Sequence, residues 1–450
     1  MPSLDPFFTE WADRRPGQTR SLGRASALLT ALGLDSGHAP VLGVVGSKGK
    51  GSTATTAAAA LSSAGLRTVL VTGPSFRSYR ERVRVDGTSV TDAVLDALGA
   101  GIDAARRELP TVEESGGYLA PSGLFLVAGL LHARETGADV CVLEAGMGGR
   151  RDELRLAGPE VVALGKVFAE HVGVLGDDVV EIAREKTLVA GERTRALVRL
   201  PQTPEVAAEI DAALAEATGG RVAAEVVDPG EPGVEPPPAL RPPGLSAASG
   251  VLGTAAAARM LEHLGFPGPN LRSLHDVLGT VRLPGRLSRH AVPVQDGPRP
   301  NGDTGRAPSS ATGPRRGVGA APEGAPDGEA AGTEVIVDSA IDRVGVATAL
   351  AHARGLWGGV DHVLLCLPDH KDVSGAVEVL GDLPVTAVRL PEAHLRFEHA
   401  LPAHWGRMDA ADLSPATLAA LGRRVLALGT VYFTGRVLEA VDAPTDRLFG

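Results

Sequence analysis

The chain has 450 residues, enough for two or three domains that each bury a core. Its formal net charge of −10 argues against a nucleic-acid partner, and its two cysteines, Cys141 and Cys366, sit in apolar runs that read as buried thiols rather than a disulfide or metal pair. No apolar run is long enough to span a membrane, and the N-terminus lacks a basic region followed by an apolar stretch. A cytoplasmic protein with no membrane partner is therefore expected.

Residues 21–32 form the first predicted helix, with Leu22, Ala25, Leu28, Leu29 and Leu32 on one face and Gly33 as its stop. A buried strand follows at 41–45. Directly after it stand Gly46, Ser47, Lys48, Gly49, Lys50, Gly51, Ser52 and Thr53, and then an alanine-rich helix to 64. Backbone amides at a glycine turn between strand and helix point at an anion, Lys50 can reach outer phosphates, and the hydroxyls of Ser52 and Thr53 can face magnesium. The ordinary phosphate loop has Ser or Thr immediately after its lysine, whereas here Gly51 intervenes. A plain tight turn with an exposed lysine is the alternative reading.

Strand 67–71, helix 124–133, strands 139–143 and 161–164 and helix 179–189 continue the alternation, which favours a parallel sheet covered by helices. Residues 229–243, broken by Pro and Gly, read as loop, and 253–264 as helix. Residues 295–330 are almost wholly Gly, Pro, Ala, Ser, Asp, Glu and Arg, and read as a disordered insertion. Beyond them come strand 335–337, helix 345–353, strand 363–367, helix 373–380, strand 385–390, helix 415–421, strand 425–428 and helix 434–440, a second and smaller α/β unit.

Several separated segments carry a family resemblance. Besides the loop they are Glu81-Arg82-Val83-Arg84-Val85-Asp86-Gly87; Leu143-Glu144-Ala145-Gly146-Met147-Gly148-Gly149-Arg150 with Asp152; Glu170-His171 with Leu175-Gly176-Asp177; Glu181-Ile182-Ala183-Arg184-Glu185-Lys186; Pro284-Gly285-Arg286; and Gly429-Thr430-Val431-Tyr432. Together they resemble the Mur-ligase superfamily, especially folylpolyglutamate synthase and dihydrofolate synthase. The resemblance implies an α/β fold: a Mur-ligase-like P-loop ATPase domain with a parallel-type central sheet, over 1–283, and a smaller Rossmann-like C-terminal α/β domain, over 284–450. It also implies a monomer that binds ATP and Mg2+ and joins a small-molecule carboxylate to an amino acid or amine through an acyl phosphate, adding glutamate to a folate-like acceptor.

On this resemblance Lys50, Glu144, His171 and Lys186 are the catalytic candidates, and Ser52, Glu144, His171 and Lys186 the metal set. Residues 46–53, Arg286 and Asp338 are the nucleotide contacts. The family often carbamylates the lysine that Lys186 matches; an ordinary surface lysine is the alternative. For Arg286 the alternative is an interdomain salt bridge. Arg77, Arg80, Arg82 and Arg84 either attract a polyanionic acceptor or form a solvated basic face.

The chain also departs from the family. Gly73 stands where a serine commonly supplies a magnesium ligand. Asp338-Ser339-Ala340-Ile341-Asp342 stands where Asp-Gly-Ala-His-Asn is typical, and Ile341 cannot reproduce the hydrogen bonds of histidine. The usual Gln and Asn of the middle helix are absent from 244–254. These departures keep open a ligase repurposed for specialised metabolism, an ATP-binding homologue with impaired catalysis, and a different ATPase or kinase.

Overall fold

The computed structural model describes residues 5–35, 37–293, 332–392 and 394–450. The insertion expected at 295–330 lies outside the described residues. Two sheets organise the rest. The first contains β1 (Val41–Val45), β2 (Thr68–Val71), β3 (Val83–Val85), β4 (Thr88–Ser89), β5 (Val140–Glu144), β6 (Val161–Leu164), β7 (Ala196–Arg199) and β8 (Ala224–Val226), in the spatial order β4-β3-β2-β5-β1-β6-β7-β8. The run from β2 to β8 is parallel, and β3 and β4 add an antiparallel edge. The second contains β9 (Ser288–Ala291), β10 (Glu334–Asp338), β11 (His362–Cys366), β12 (Val385–Arg389), β13 (Gly406–Asp409) and β14 (Arg424–Gly429), in the order β13-β12-β11-β14-β10-β9, parallel except for β9.

Helices α1 (Asp5–Ala12), α2 (Leu22–Ala31), α3 (Lys50–Ser63), α4 (Asp92–Arg107), α5 (Pro121–Thr136), α6 (Val179–Thr187), α7 (Pro204–Thr218), α8 (Ser246–His263) and α9 (Leu271–Thr280) belong with the first sheet. The second carries α10 (Arg343–Trp357), α11 (Val373–Leu380), α12 (Pro415–Ala420) and α13 (Val431–Ala440). This is the α/β architecture with two sheets that the sequence predicts.

Strand β1 is buried at every residue, as is β5 beside it, because helices cover both faces of this part of the sheet. Helix α3 has no polar face: Ser52 through Leu61 are all buried. Its alanines let α8 approach closely. A Cβ at Gly253 of α8 would stand 2.4 Å from the Thr53 carbonyl oxygen, closer than real atoms come. That packing extends α8 back to Ser246, beyond the 253–264 read from its sequence pattern, since its first turns lie on the phosphate loop. Cys141 and Cys366 are both free and buried, and burial pushes each thiol up to about 12. Among the described residues no helix is long and apolar enough to cross a membrane.

Candidate active site

The segment joining β1 to α3 turns through two glycines with positive φ, 141° at Gly46 and 79° at Gly49. Gly49 is the residue before the helix, and a side chain there would meet both backbone strain and the Ser249 Oγ, 2.2 Å from its Cβ position. The first N–H groups of α3 are thereby left facing the loop's concave side. Lys50 Nζ donates to the Gly46 carbonyl at 3.1 Å.

Glu144, the last residue of β5, faces this turn. One carboxylate oxygen accepts the Gly73 N–H at 2.8 Å and lies 3.3 Å from where a Cβ on Gly51 would stand. Gly51 thus has a physical reason to replace the usual hydroxyl residue after the lysine: a larger side chain would crowd the carboxylate. Burial pushes the Glu144 carboxyl above its ordinary range, opposed by Lys50, the Gly73 N–H, Arg286 and Arg82. Gly51 and Ser52 of α3, Gly73 after β2, Glu144 of β5 and Arg286 before β9 line one cavity, which places three segments of the first sheet and its helices and the strand-entry turn of the second around one space.

Lys186 is fully buried on α6. Its ammonium donates to the carbonyls of Gly46, at 3.2 Å, and Met147, at 3.1 Å, and lies 2.8 Å from the Glu170 carboxylate. Burial first, then Lys50, lower its proton affinity. His171 has a left-handed φ of 48° and is exposed. Burial of part of its ring lowers its pKa, Glu170 opposes this, and Lys186, Lys371 and Lys50 lower it further, so the imidazole lies within the field of the loop. Ser52 Oγ is buried, 3.4 Å from Ser246 Oγ of α8. Among the described residues no three His, Cys, Asp or Glu side chains gather as a metal cage. Ser52, Glu144, His171 and Lys186 surround the loop without forming one.

The second sheet faces the loop through the ends of its parallel strands. Asp338 closes β10 and accepts the Leu287 N–H at 2.8 Å. Burial pushes its carboxyl up to about 6, against the pull of Arg286, this N–H and Lys48. Asp342, before α10, pairs with Lys48 of the loop. Lys371, after β11, shares this field. Its pKa is lowered by burial and by Lys48, while Glu170 raises it. The sequence reading passed over Lys371. Its signal was the run Asp369-His370-Lys371-Asp372 at a strand end, without an acid or glycine pattern to distinguish it.

The basic run has a different part from either reading of it. Arg84 donates to the carbonyls of Thr445 and Asp446, both at 2.7 Å. Arg77 donates to the Ala443 carbonyl and to Asp442, and Arg80 pairs with Asp446. Three of the four arginines therefore bind the C-terminal segment to the first sheet. Arg82 instead lies 4.6 Å over the Phe125 ring, which stacks on Phe7. Burial lowers its pKa, with Tyr79, Glu144 and Tyr432 opposing. Glu81 organises the turn between them. It accepts the N–H groups of Phe76, Arg77 and Ser78 and the Thr445 hydroxyl, at 2.8 to 3.1 Å.

No family model matches the chain. Curated proteins do. A probable bifunctional folylpolyglutamate synthase/dihydropteroate synthase of Haloferax volcanii is 39% identical over 176 residues, 39% of this chain and 20% of that protein. The dihydrofolate synthase/folylpolyglutamate synthase of Escherichia coli is 31% identical over 189 residues, 42% of this chain and 43% of that protein. The matched stretch is thus less than half the length of either relative. Among solved structures, the apo form of L. casei FPGS superposes with a TM-score of 0.72 at 18% identity, covering 98% of this chain and 99% of the other. Mycobacterium tuberculosis folylpolyglutamate synthase complexed with ADP and AMPPCP gives 0.71 at 19% identity, covering 94% and 96%. At these identities the superpositions establish the fold.

Proposed function

We propose that this chain, a homologue of the folylpolyglutamate synthase/dihydrofolate synthase family of the Mur-ligase superfamily, is an ATP-dependent carboxylate–amine ligase that adds glutamate to a folate-like acceptor. One observation carries the reading. Gly51 and Ser52 of the glycine loop and a buried carboxylate, Glu144, line a cavity with Arg286 from the other side of the cleft, and Lys50 of the loop acts electrostatically on that carboxylate. Residues 1–283 and 284–450 are read as the two domains that bring these groups together.

In the proposed reaction an acceptor carboxylate oxygen attacks the γ-phosphorus of ATP and ADP departs. The amine nitrogen then attacks the acyl carbon, phosphate leaves, and the amine proton passes to solvent or a nearby base. Lys50 and the first N–H groups of α3 hold the phosphates and stabilise the charge that gathers there. Arg286 and Asp338 close the nucleotide side. Lys186, with its carbonyl and carboxylate partners, fixes the loop against α6. Its lowered proton affinity also supports carbamylation as a further state, checked by intact-protein mass spectrometry with and without bicarbonate.

Ser52 and Glu144 supply a hydroxyl and a carboxylate beside the phosphate site. This donor set would suit one Mg2+, a hard cation that takes oxygen ligands. When bound, the ion neutralises phosphate charge. A second ion is less well served. Lys186 carries hydrogen-bond donors toward its neighbours, and Gly73 offers no side-chain oxygen.

The test is a mass-spectrometric product screen with ATP and Mg2+, offering dihydropteroate or a reduced folate with glutamate beside a panel of other carboxylates and amines. A product heavier by one glutamyl unit is expected. Amide formation only from other substrates would mark a repurposed ligase, a reading favoured by Ile341 and Asp342. Nucleotide binding with no product across the panel would mark a homologue without turnover, a reading favoured by Gly73, Ile341 and Asp342 together.

A further inference from the structure

Every ammonium beside the phosphate loop whose hydrogen bonds are resolved rests on an oxygen of the protein. Lys50 holds the Gly46 carbonyl, and Lys186 holds two carbonyls and lies against Glu170. Lys48 differs from both in its partner. It sits in the loop itself, between Gly46 and Gly49, and pairs with the Asp342 carboxylate, 294 residues away on the facing lobe. Its ammonium also stands 5.4 Å from the Phe168 ring centroid, within cation–π range.

The two oxygens of Asp342 have separate tasks. Oδ1 accepts the Gly345 N–H at 2.9 Å and so caps α10, while Oδ2 takes Lys48. The cap and the lysine together hold its pKa below the ordinary aspartate value, against burial, so the carboxylate is charged at neutral pH. The side chains are 39% and 32% exposed, which leaves the pair open to a competing anion. Lys48 also acts on Asp338 and Lys371, so its ammonium stands among the charged groups of both lobes.

A polyphosphate on this loop would bring negative charge against a carboxylate already holding one of the loop's lysines. Asp342 and phosphate then want the same ammonium, and only one of them is fixed to α10. We infer that Lys48 is a phosphate-contacting residue that exchanges partners: Asp342 holds it in the nucleotide-free chain, nucleotide phosphate takes it, and the exchange frees the start of α10 from the loop. Asp342 thereby lowers nucleotide affinity and links nucleotide arrival to the contact between the lobes. This inference rests on the loop binding nucleotide, as proposed above.

Asparagine caps a helix as well as aspartate, so Asp342→Asn removes the charge while keeping the cap. The test is calorimetric titration of the full chain with Mg2+ and a non-hydrolysable ATP analogue at low salt, in wild type, Asp342→Asn, Lys48→Met and the double variant. Asp342→Asn should bind about two- to five-fold tighter, the span of a partly exposed ion pair. Lys48→Met should bind more weakly, and in its background Asp342→Asn should add no gain. Raising the salt should shrink the difference between wild type and Asp342→Asn. Binding by Asp342→Asn that is unchanged or weaker, or a gain of equal size without Lys48, would overturn the exchange while leaving the nucleotide reading intact. Absence of binding by the wild type would overturn both.

Discussion

On the first-sheet side of the cleft, the phosphate loop and Glu144 hang from β1 and β5, strands buried at every residue. On the second-sheet side, Asp338, Ile341, Asp342 and Lys371 stand on strand ends and loops that are only half-buried. The departures from the family segment at Ile341 and Asp342 fall on this second side. Gly73 departs on the first, yet what it gives Glu144 is a backbone N–H. In the proposed reaction the phosphates rest on amides and lysines of this buried side, so substitutions there should cost the most activity. The facing loops can vary and retune what is bound over the loop.

The largest effect should come from the rigid side. Lys50→Ala should lower ATP-dependent turnover by at least about 100-fold, with only a small fall in the urea midpoint, because Nζ holds a local carbonyl and offsets part of the buried Glu144 charge. Phosphate release measured beside urea unfolding checks both parts. Near-normal turnover would remove the loop from the chemistry.

Next comes the joint between the regions. Glu81→Ala leaves three N–H groups and the Thr445 hydroxyl without their acceptor. It should cost about 3 kcal/mol of stability. A loss below about 1 kcal/mol in chemical denaturation would show that water replaces the carboxylate.

The half-buried side should reveal itself through pH. Asp338 is pushed up to about 6 from an ordinary 3.8. A raised carboxyl contributes stability that is complete below 3.8 and lost as pH rises through 6, amounting to at most about 3 kcal/mol. Asp338→Asn should flatten the stability change between pH 4 and pH 7. An identical slope in the variant would mean that Arg286 already compensates the charge.

The smallest change should be Gly73→Ser. A Cβ there would lie 3.6 Å from the Arg82 guanidinium carbon, an ordinary contact, so stability should shift by less than about 0.5 kcal/mol. If a missing oxygen limits the phosphate side, the magnesium needed for half-maximal turnover should fall. No change in that titration would argue that Ser52 and Glu144 suffice.

Much of this was readable in local pattern. The apolar run at β1, the glycine turn and the alanine helix are contiguous, and each follows from residues within a few positions. The alternation after 334 likewise yields the four central strands β10, β11, β12 and β14 and the helices between them, but not the edge strands β9 and β13. Helix α4 also carries a local signal, with Leu95, Leu98 and Ile102 buried on one face. Strands β7, of four residues, and β8, a three-residue edge strand, are too short to give a pattern to read.

What the chain could not disclose locally were contacts across hundreds of residues. Arg84 looks like a surface cation until its partners appear 361 and 362 residues later. Nothing near Lys48 in the sequence shows that Asp342 faces it. His171 and Lys186 take their place near the loop from packing between α6 and the β6 exit, which no spacing in the sequence specifies.

In the proposed reaction ATP activates a carboxylate. The most direct measurement uses dihydropteroate and a reduced folate carrying heavy oxygen in the carboxylates, incubated with glutamate, ATP and Mg2+. Acyl-phosphate formation predicts one heavy oxygen in the released inorganic phosphate for each amide made. Amide product accompanied by unlabelled phosphate would contradict the account.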